Sequence, residues 1–154
     1  MGDKKKSYLS QAIDLDLKIQ DAELIENYTD LRVYKLAFES AIHIFEISRK
    51  WPAEEKYSLT DQIRRSSRSV CANIAEAWRK RRYPAHFVSK LSDSDSEAAE
   101  TEVWLDFALR LSYLNKDDHL ELRDHYDHIC RMLTNMIANP QLWCRRAKVE
   151  KRKA

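Results

Sequence analysis

Seven cations in one part of the chain are the residue types that grip phosphate. Arg79, Lys80, Arg81 and Arg82 form an unbroken run, and Arg64, Arg65 and Arg68 precede them in the same predicted helix. Guanidinium groups bind phosphate oxygens in pairs, and Trp78 and Tyr83 beside the run offer rings that can stack on unpaired bases, so the pattern fits an RNA-binding edge. A competing partner lies downstream in Asp93, Asp95, Glu97, Glu100, Glu102 and Asp106. On an antiparallel neighbouring helix these carboxylates would bridge to the arginines and set register instead. Basic residues near a helix C-terminus also complement the helix dipole without any ligand.

Other chemistry is poorly supplied. His125 and His128, with Asp124 and Asp127, fall within about one turn, but di-metal bundles use Glu-x-x-His on facing helices and that spacing is missing. With His119, these histidines read as a solvated face, so no metal and no cofactor is expected. Cys71 sits between Val70 and Ala72 without a nearby base, as a small core residue does, and Cys130 carries no better signal. Ser92, Asp93, Ser94, Asp95 and Ser96 lack the glycine and closing glutamate of a calcium loop. No catalytic residue is predicted. Asn73, beside Val70 and Ile74, reads as a buried amide needing hydrogen-bond partners, and Gln62, Glu76 and Glu100 are the expected members of a structural network around it.

These residues must be positioned by helices, because the chain has one glycine and three prolines among 154 residues. Sheets with tight turns and Gly-rich phosphate loops need more. Each proline falls at a helix boundary: Pro52, Pro84 and Pro140. The capping signals are Asp30, Ser58 or Thr60, and Asn115, with Pro84 at a favourable first position. The prediction is an all-α, up-down antiparallel four-helix bundle over residues 30–140, with helices at about 31–50, 59–82, 85–114 and 116–139. Residues 1–29 form an N-terminal arm, and 141–154 a basic tail. Three cysteines without C-x-x-C spacing, and no apolar run near the ~18–20 residues of a membrane span, fit a cytoplasmic protein with reduced thiols.

The first predicted helix carries two apolar stripes. Leu31, Tyr34, Phe38, Ala41, Phe45 and Ser48 form the expected bundle seam. Val33, Ala37, Ile44 and Ile47 form a second, either a broad core-facing side or, as the sharper reading has it, an oligomer interface. Charge is uneven as well. Lys4, Lys5, Lys6, Arg145, Arg146, Lys148, Lys151, Arg152 and Lys153 lie at the ends, which leaves 18 basic against 23 acidic residues over positions 7–144, a body at −5. That pattern suits tethering by tails rather than a wholly basic nucleic-acid domain.

One stretch carries a resemblance. Tyr57, Ser58 and Leu59, then Gln62, Ile63, Arg64, Arg65, Ser66 and Ser67, and Ser69 followed by Val70, Cys71, Ala72, Asn73, Ile74, Ala75 and Glu76, resemble the signature of the 23S rRNA intervening-sequence protein family, small bacterial four-helix-bundle proteins. Trp51, Pro52 and Glu55 resemble its first turn, and Phe87, Leu91, Glu100, Thr101, Glu102, Trp104 and Leu105 its third helix. Many members follow the Asn-Ile-Ala-Glu run with glycines, whereas Ala77, Trp78 and the basic run follow it here. The resemblance implies a left-handed bundle assembling as a homopentamer, no known catalytic activity, and a link to RNA through genes lying inside ribosomal RNA intervening sequences. It extends to the accessory subunits of diversity-generating retroelements, which contact nucleic acid and a reverse transcriptase but are strongly basic. The combined expectation is a non-enzymatic, oligomeric bundle binding structured RNA through the basic edge and tails, without a small-molecule substrate. The alternative is a scaffold that docks a partner protein.

Overall fold

The computed structural model describes residues 25–144; most of the predicted arm and tail lies outside them. Four α-helices occupy these residues without any strand among them: α1 (Arg32–Ser48), α2 (Leu59–Lys80), α3 (Pro84–Arg110) and α4 (Lys116–Ala138). Single 3-10 turns, Tyr28–Asp30, Ala53–Glu55 and Pro140–Leu142, lie at the junctions. Each helix packs on the next, and α1 closes against α4, as an up-down bundle requires. Among the described residues no helix is long and apolar enough to cross a membrane.

The helix ends depart instructively from the capping signals. Leu31, not Asp30, holds the cap position of α1, and the Asp30 carboxylate instead accepts from the Asn27 and Glu26 N–H groups at 2.9 and 3.2 Å. Ser58 is at the cap of α2, but Glu55 accepts the Leu59 N–H at 3.2 Å and the Ser58 hydroxyl proton, while Thr60 is buried. The Ser58 hydrogen bond, followed by that of Leu59, holds the Glu55 carboxyl below its usual range. Asn115 caps α4 as expected, accepting the Asp118 N–H at 2.8 Å. α3 stops at Arg110 rather than near residue 114, because Ser112 turns into the left-handed region at φ 62° and the Tyr113 N–H reaches back to the Ala108 carbonyl at 2.9 Å. Ser112 is therefore exposed, not the end of a core stripe.

The most extensive seam is between α2 and α3. Small buried residues line it, Ser66, Ser67, Ser94 and Ala98 among them, which lets the two helices approach closely. Ser94 Oγ donates to the Val70 carbonyl at 2.9 Å, and Thr101 Oγ1 donates to Ser66 Oγ at 2.8 Å. Both contacts are buried, so each hydroxyl recovers its desolvation cost through a partner on the other helix.

α1 is rotated relative to the expected seam. Val33, Ala37 and Ile44 are 2%, 0% and 0% exposed and belong to the chain's own core, and Ile47 packs partly buried against it. They do not form an interface between copies. The core-facing line of α1 is Val33, Ala37, Ser40 and Ile44, small or branched residues that suit close approach, while the bulky Tyr34, Phe38 and Phe45 are turned toward a groove above α2.

His125 and His119 meet partners across helix seams instead of lying on a solvated face. His125 Nδ1 lies 3.2 Å from Ser40 Oγ across the α1–α4 seam, and His119 Nε2 lies 2.8 Å from Asp106 Oδ1 across α3–α4. His128 Nδ1 lies 2.8 Å from the Asp124 carbonyl on the same helix. Burial pushes the His125 pKa below 6.5, outweighing the opposing pull of Glu121 and Asp124.

Ala98→Leu should overpack the α2–α3 seam and destabilise the bundle by about 1–3 kcal/mol in urea unfolding. Ser112→Gly removes the left-handed penalty and should stabilise by about 1 kcal/mol, read as a higher midpoint at unchanged slope. For His125 the folded state binds its proton more weakly than the unfolded state, so this group's contribution is complete above about pH 6.5 and declines as the pH falls toward the folded pKa. Between pH 7.5 and 5.5 the wild type should lose more stability than His125→Gln.

Candidate nucleic-acid interface

The up-down path brings four helix ends to one pole of the bundle. A hollow of about 340 Å³ lies between the start of α1 and the end of α4, lined by Leu31, Val33, Met132, Met136 and Trp143. The Pro140–Leu142 turn packs on α3, and Arg81 is close enough to Cys144 to act on its thiol, which places the α2–α3 corner at the same pole. That corner is the basic run. Pro84 begins α3 directly after it, and the Tyr83 carbonyl accepts the His86 and Phe87 N–H groups at 3.0 Å, so the chain reverses within three residues.

The four cations of the run have different surroundings. Arg81 lies 4.0 Å above the Trp78 ring and donates to the Trp78 carbonyl at 2.6 Å, closing the C-terminus of α2. Arg79, Lys80 and Arg82 are exposed, and among the described residues no carboxylate lies within ion-pairing distance of them. The Arg82 guanidinium lies 5.8 Å from the ring of Tyr83, which is 56% exposed and 5.6 Å from the His86 ring. Open cations beside an accessible aromatic pair can engage phosphate and stack a base.

Arg64, Arg65 and Arg68 do not join that cluster. Arg64 and Arg79 are separated by about 22 Å of helix at about 1.5 Å per residue. Arg64 Nε donates to Ser48 Oγ at 2.8 Å, and the Arg64 and Arg68 guanidinium carbons lie 4.7 and 5.9 Å from the Phe45 ring centre. Desolvation lowers the Arg64 pKa, with Arg68 and Arg49 adding repulsion, although an arginine stays charged at neutral pH. Arg65 is exposed on the α3 side, where its field acts on Glu97. The seven cations thus divide between a pole and a groove.

The acids of α3 pair elsewhere than with the α2 arginines. Arg123 on α4 reaches Glu102 at 3.3 Å and Asp106 at 3.8 Å. The one strong α2–α3 ion pair uses Lys90, which sequence reading missed although Asp93 stands one turn away. Lys90 Nζ lies 2.9 Å from Glu76, 3.5 Å from Asp93 and 3.3 Å from Asn73 Oδ1. This lowers the Glu76 pKa and raises that of Lys90. Asn73 is half-buried rather than enclosed, and the network around it omits two expected members. Glu100 accepts from Trp104 Nε1 at 3.1 Å, and Gln62 lines a hollow beside Leu59 and Phe107.

Little else here suggests chemistry. Burial raises the Cys71 thiol to about 11 and the Cys130 thiol to about 12, far from a reactive thiolate at neutral pH. Among the described residues no group of three or more His, Cys, Asp or Glu side chains could hold a metal ion.

Residues 29–135 match the family described as 23S rRNA-intervening sequence protein. A crystal structure of a protein of unknown function from the S23 ribosomal protein family of Bacteroides thetaiotaomicron is similar, with a TM-score of 0.62 and 30% identity over 69% of this chain and 95% of that one. Among curated proteins none matches. The matched span begins at the turn before α1 and ends three residues short of the end of α4, so it takes in nearly all of the bundle, including the α2 signature and the Asn73–Glu76–Lys90 clamp. The chain belongs to the 23S rRNA-intervening sequence protein family.

Proposed function

We propose that this chain is a non-enzymatic cytoplasmic protein that binds structured RNA through its basic pole, with several copies acting together. The observation carrying this reading is the convergence at one end of the bundle of Arg79, Lys80 and Arg82, exposed and, among the described residues, with no carboxylate within ion-pairing distance, beside the accessible Tyr83 and His86 rings. The last described residue, Cys144, lies at the same end, and six cations follow it in the sequence. Each phosphate contact is weak at physiological salt, and avidity across several poles raises the affinity without a strong single site. The description of the matched family ties its members to a 23S rRNA intervening sequence, and that makes ribosomal RNA stem-loops the first ligand to try.

Binding of a labelled ribosomal RNA stem-loop, followed by anisotropy from 50 to 300 mM salt, should weaken linearly in the logarithm of salt. Arg79→Glu with Arg82→Glu should reduce affinity at least tenfold at low salt and lower the slope by about 1–2. Lys56→Glu, at the opposite end, should change neither. No retention at low salt, or equal loss from both variants, rules the reading out.

A further inference from the structure

We infer that the hollow between the start of α1 and the end of α4 takes the base of one unpaired nucleotide, so that the RNA held at the basic pole is a stem interrupted by a bulge or loop. The inference rests on the RNA-binding reading above and names the ligand class within it. The hollow measures about 340 Å³, at the small end of the roughly 300–1,000 Å³ of small-molecule sites. It has room for a single nucleoside. An α-helix with its side chains is about 10–12 Å across and is too bulky to enter.

The lining combines a ring, two thioethers and hydrogen-bond donors. Met132 and Met136 supply polarisable surface and Trp143 an indole, the kinds of group on which a base packs. The Trp143 Nε1 hydrogen is buried and has no acceptor among the described residues, whereas buried donors are as a rule paired. Asn135 Oδ1 accepts from Asn139 Nδ2 at 3.1 Å, which leaves the Asn135 amide hydrogens for a ligand. Carbonyl oxygens and ring nitrogens on a base edge are the acceptors these donors lack. An aliphatic chain in the same space would leave them unpaired, so the donors favour a base over a lipid.

Charge at the rim suits a ligand that carries phosphate. Arg32 and Lys35 are exposed there, and Asp30, the only acid lining the hollow among the described residues, already accepts from the Asn27 and Glu26 N–H groups. α1 begins at the same rim without a side-chain cap, which adds the positive end of its dipole. The basic run is one helix away. α1 and α2 pack side by side, and packed helices lie about 8–10 Å apart. A base within a continuous duplex stays stacked and paired, whereas an unpaired base can be splayed out. A strand passing Arg79 and Arg82 therefore delivers a base to the hollow only where pairing is interrupted.

The test measures the full chain by anisotropy, at one low salt concentration, against two RNA duplexes: one blunt and fully paired, the other identical but for a single bulged 2-aminopurine. The bulged duplex should bind about tenfold more tightly, within the range that stacking of one base supplies. Its 2-aminopurine should also become shielded from quenching by acrylamide. Met132→Trp, which fills the hollow, should bring the ratio of the two affinities to about one, and Trp143→Phe, which keeps a ring but removes the indole donor, should lower it about threefold. Circular dichroism checks that both variants keep their helicity, and the shielding in wild type stands whether or not they do. Arg79→Glu with Arg82→Glu should weaken both duplexes together and leave the ratio in place. Equal affinities in wild type, a bulge preference that survives both substitutions in the hollow, or a bulged base still open to acrylamide would overturn the base site, leave the hollow to residues 1–24 and let the basic pole stand. Binding of neither duplex would overturn the RNA reading itself.

Discussion

Two buried hydroxyl contacts between α2 and α3 hold the helix on which every candidate feature depends. Ser94 to Val70 and Thr101 to Ser66 are short, lie far apart in sequence and are enclosed by small residues. A hydroxyl left unpaired in such a seam would cost about 1–3 kcal/mol, so sliding α2 along α3 is opposed by more than loss of packing. The Lys90 clamp reinforces the same register from the surface. With α2 fixed, its last turn projects the basic run past the bundle and its outer flank sets the depth of the aromatic groove.

Cations are spent differently on the two halves of the molecule. Between α3 and α4 Arg123 neutralises carboxylates, reaching both Glu102 and Asp106. Along α2 Arg64 and Arg68 lie over the Phe45 ring instead, and Arg79 is exposed. The sequence between residues 7 and 144 is acidic overall, so the exposed cations at the end of α2 stand out against it as a local patch of opposite sign.

Helix number and order were legible because prolines and capping residues mark each boundary and because four apolar stripes have helical period. Boundaries erred where a tertiary partner replaced the local signal: Glu55 did the work expected of Ser58, and a left-handed serine ended α3 early although such positions usually take glycine. The rotation of α1 was not legible. Both of its stripes are apolar and equally periodic, and only packing against small residues on neighbouring helices decides which one turns inward. The basic run stood out as a cluster, but its separation from Arg64 and Arg68 follows from helix rise, and the surroundings of each cation from side chains distant in sequence. Lys90 was missed since a lone lysine among acids looks like surface solvation until Asn73 and Glu76 are placed beside it.

The even number of antiparallel passes has a practical consequence. Residues 25 and 143 line the same hollow at the basic end, so a fluorescent fusion joined directly at either end of the described span would crowd the surface assigned to RNA. The two tight corners at the opposite end, around Ala53 and around Asn115, are the better places to graft a probe or a short inserted peptide.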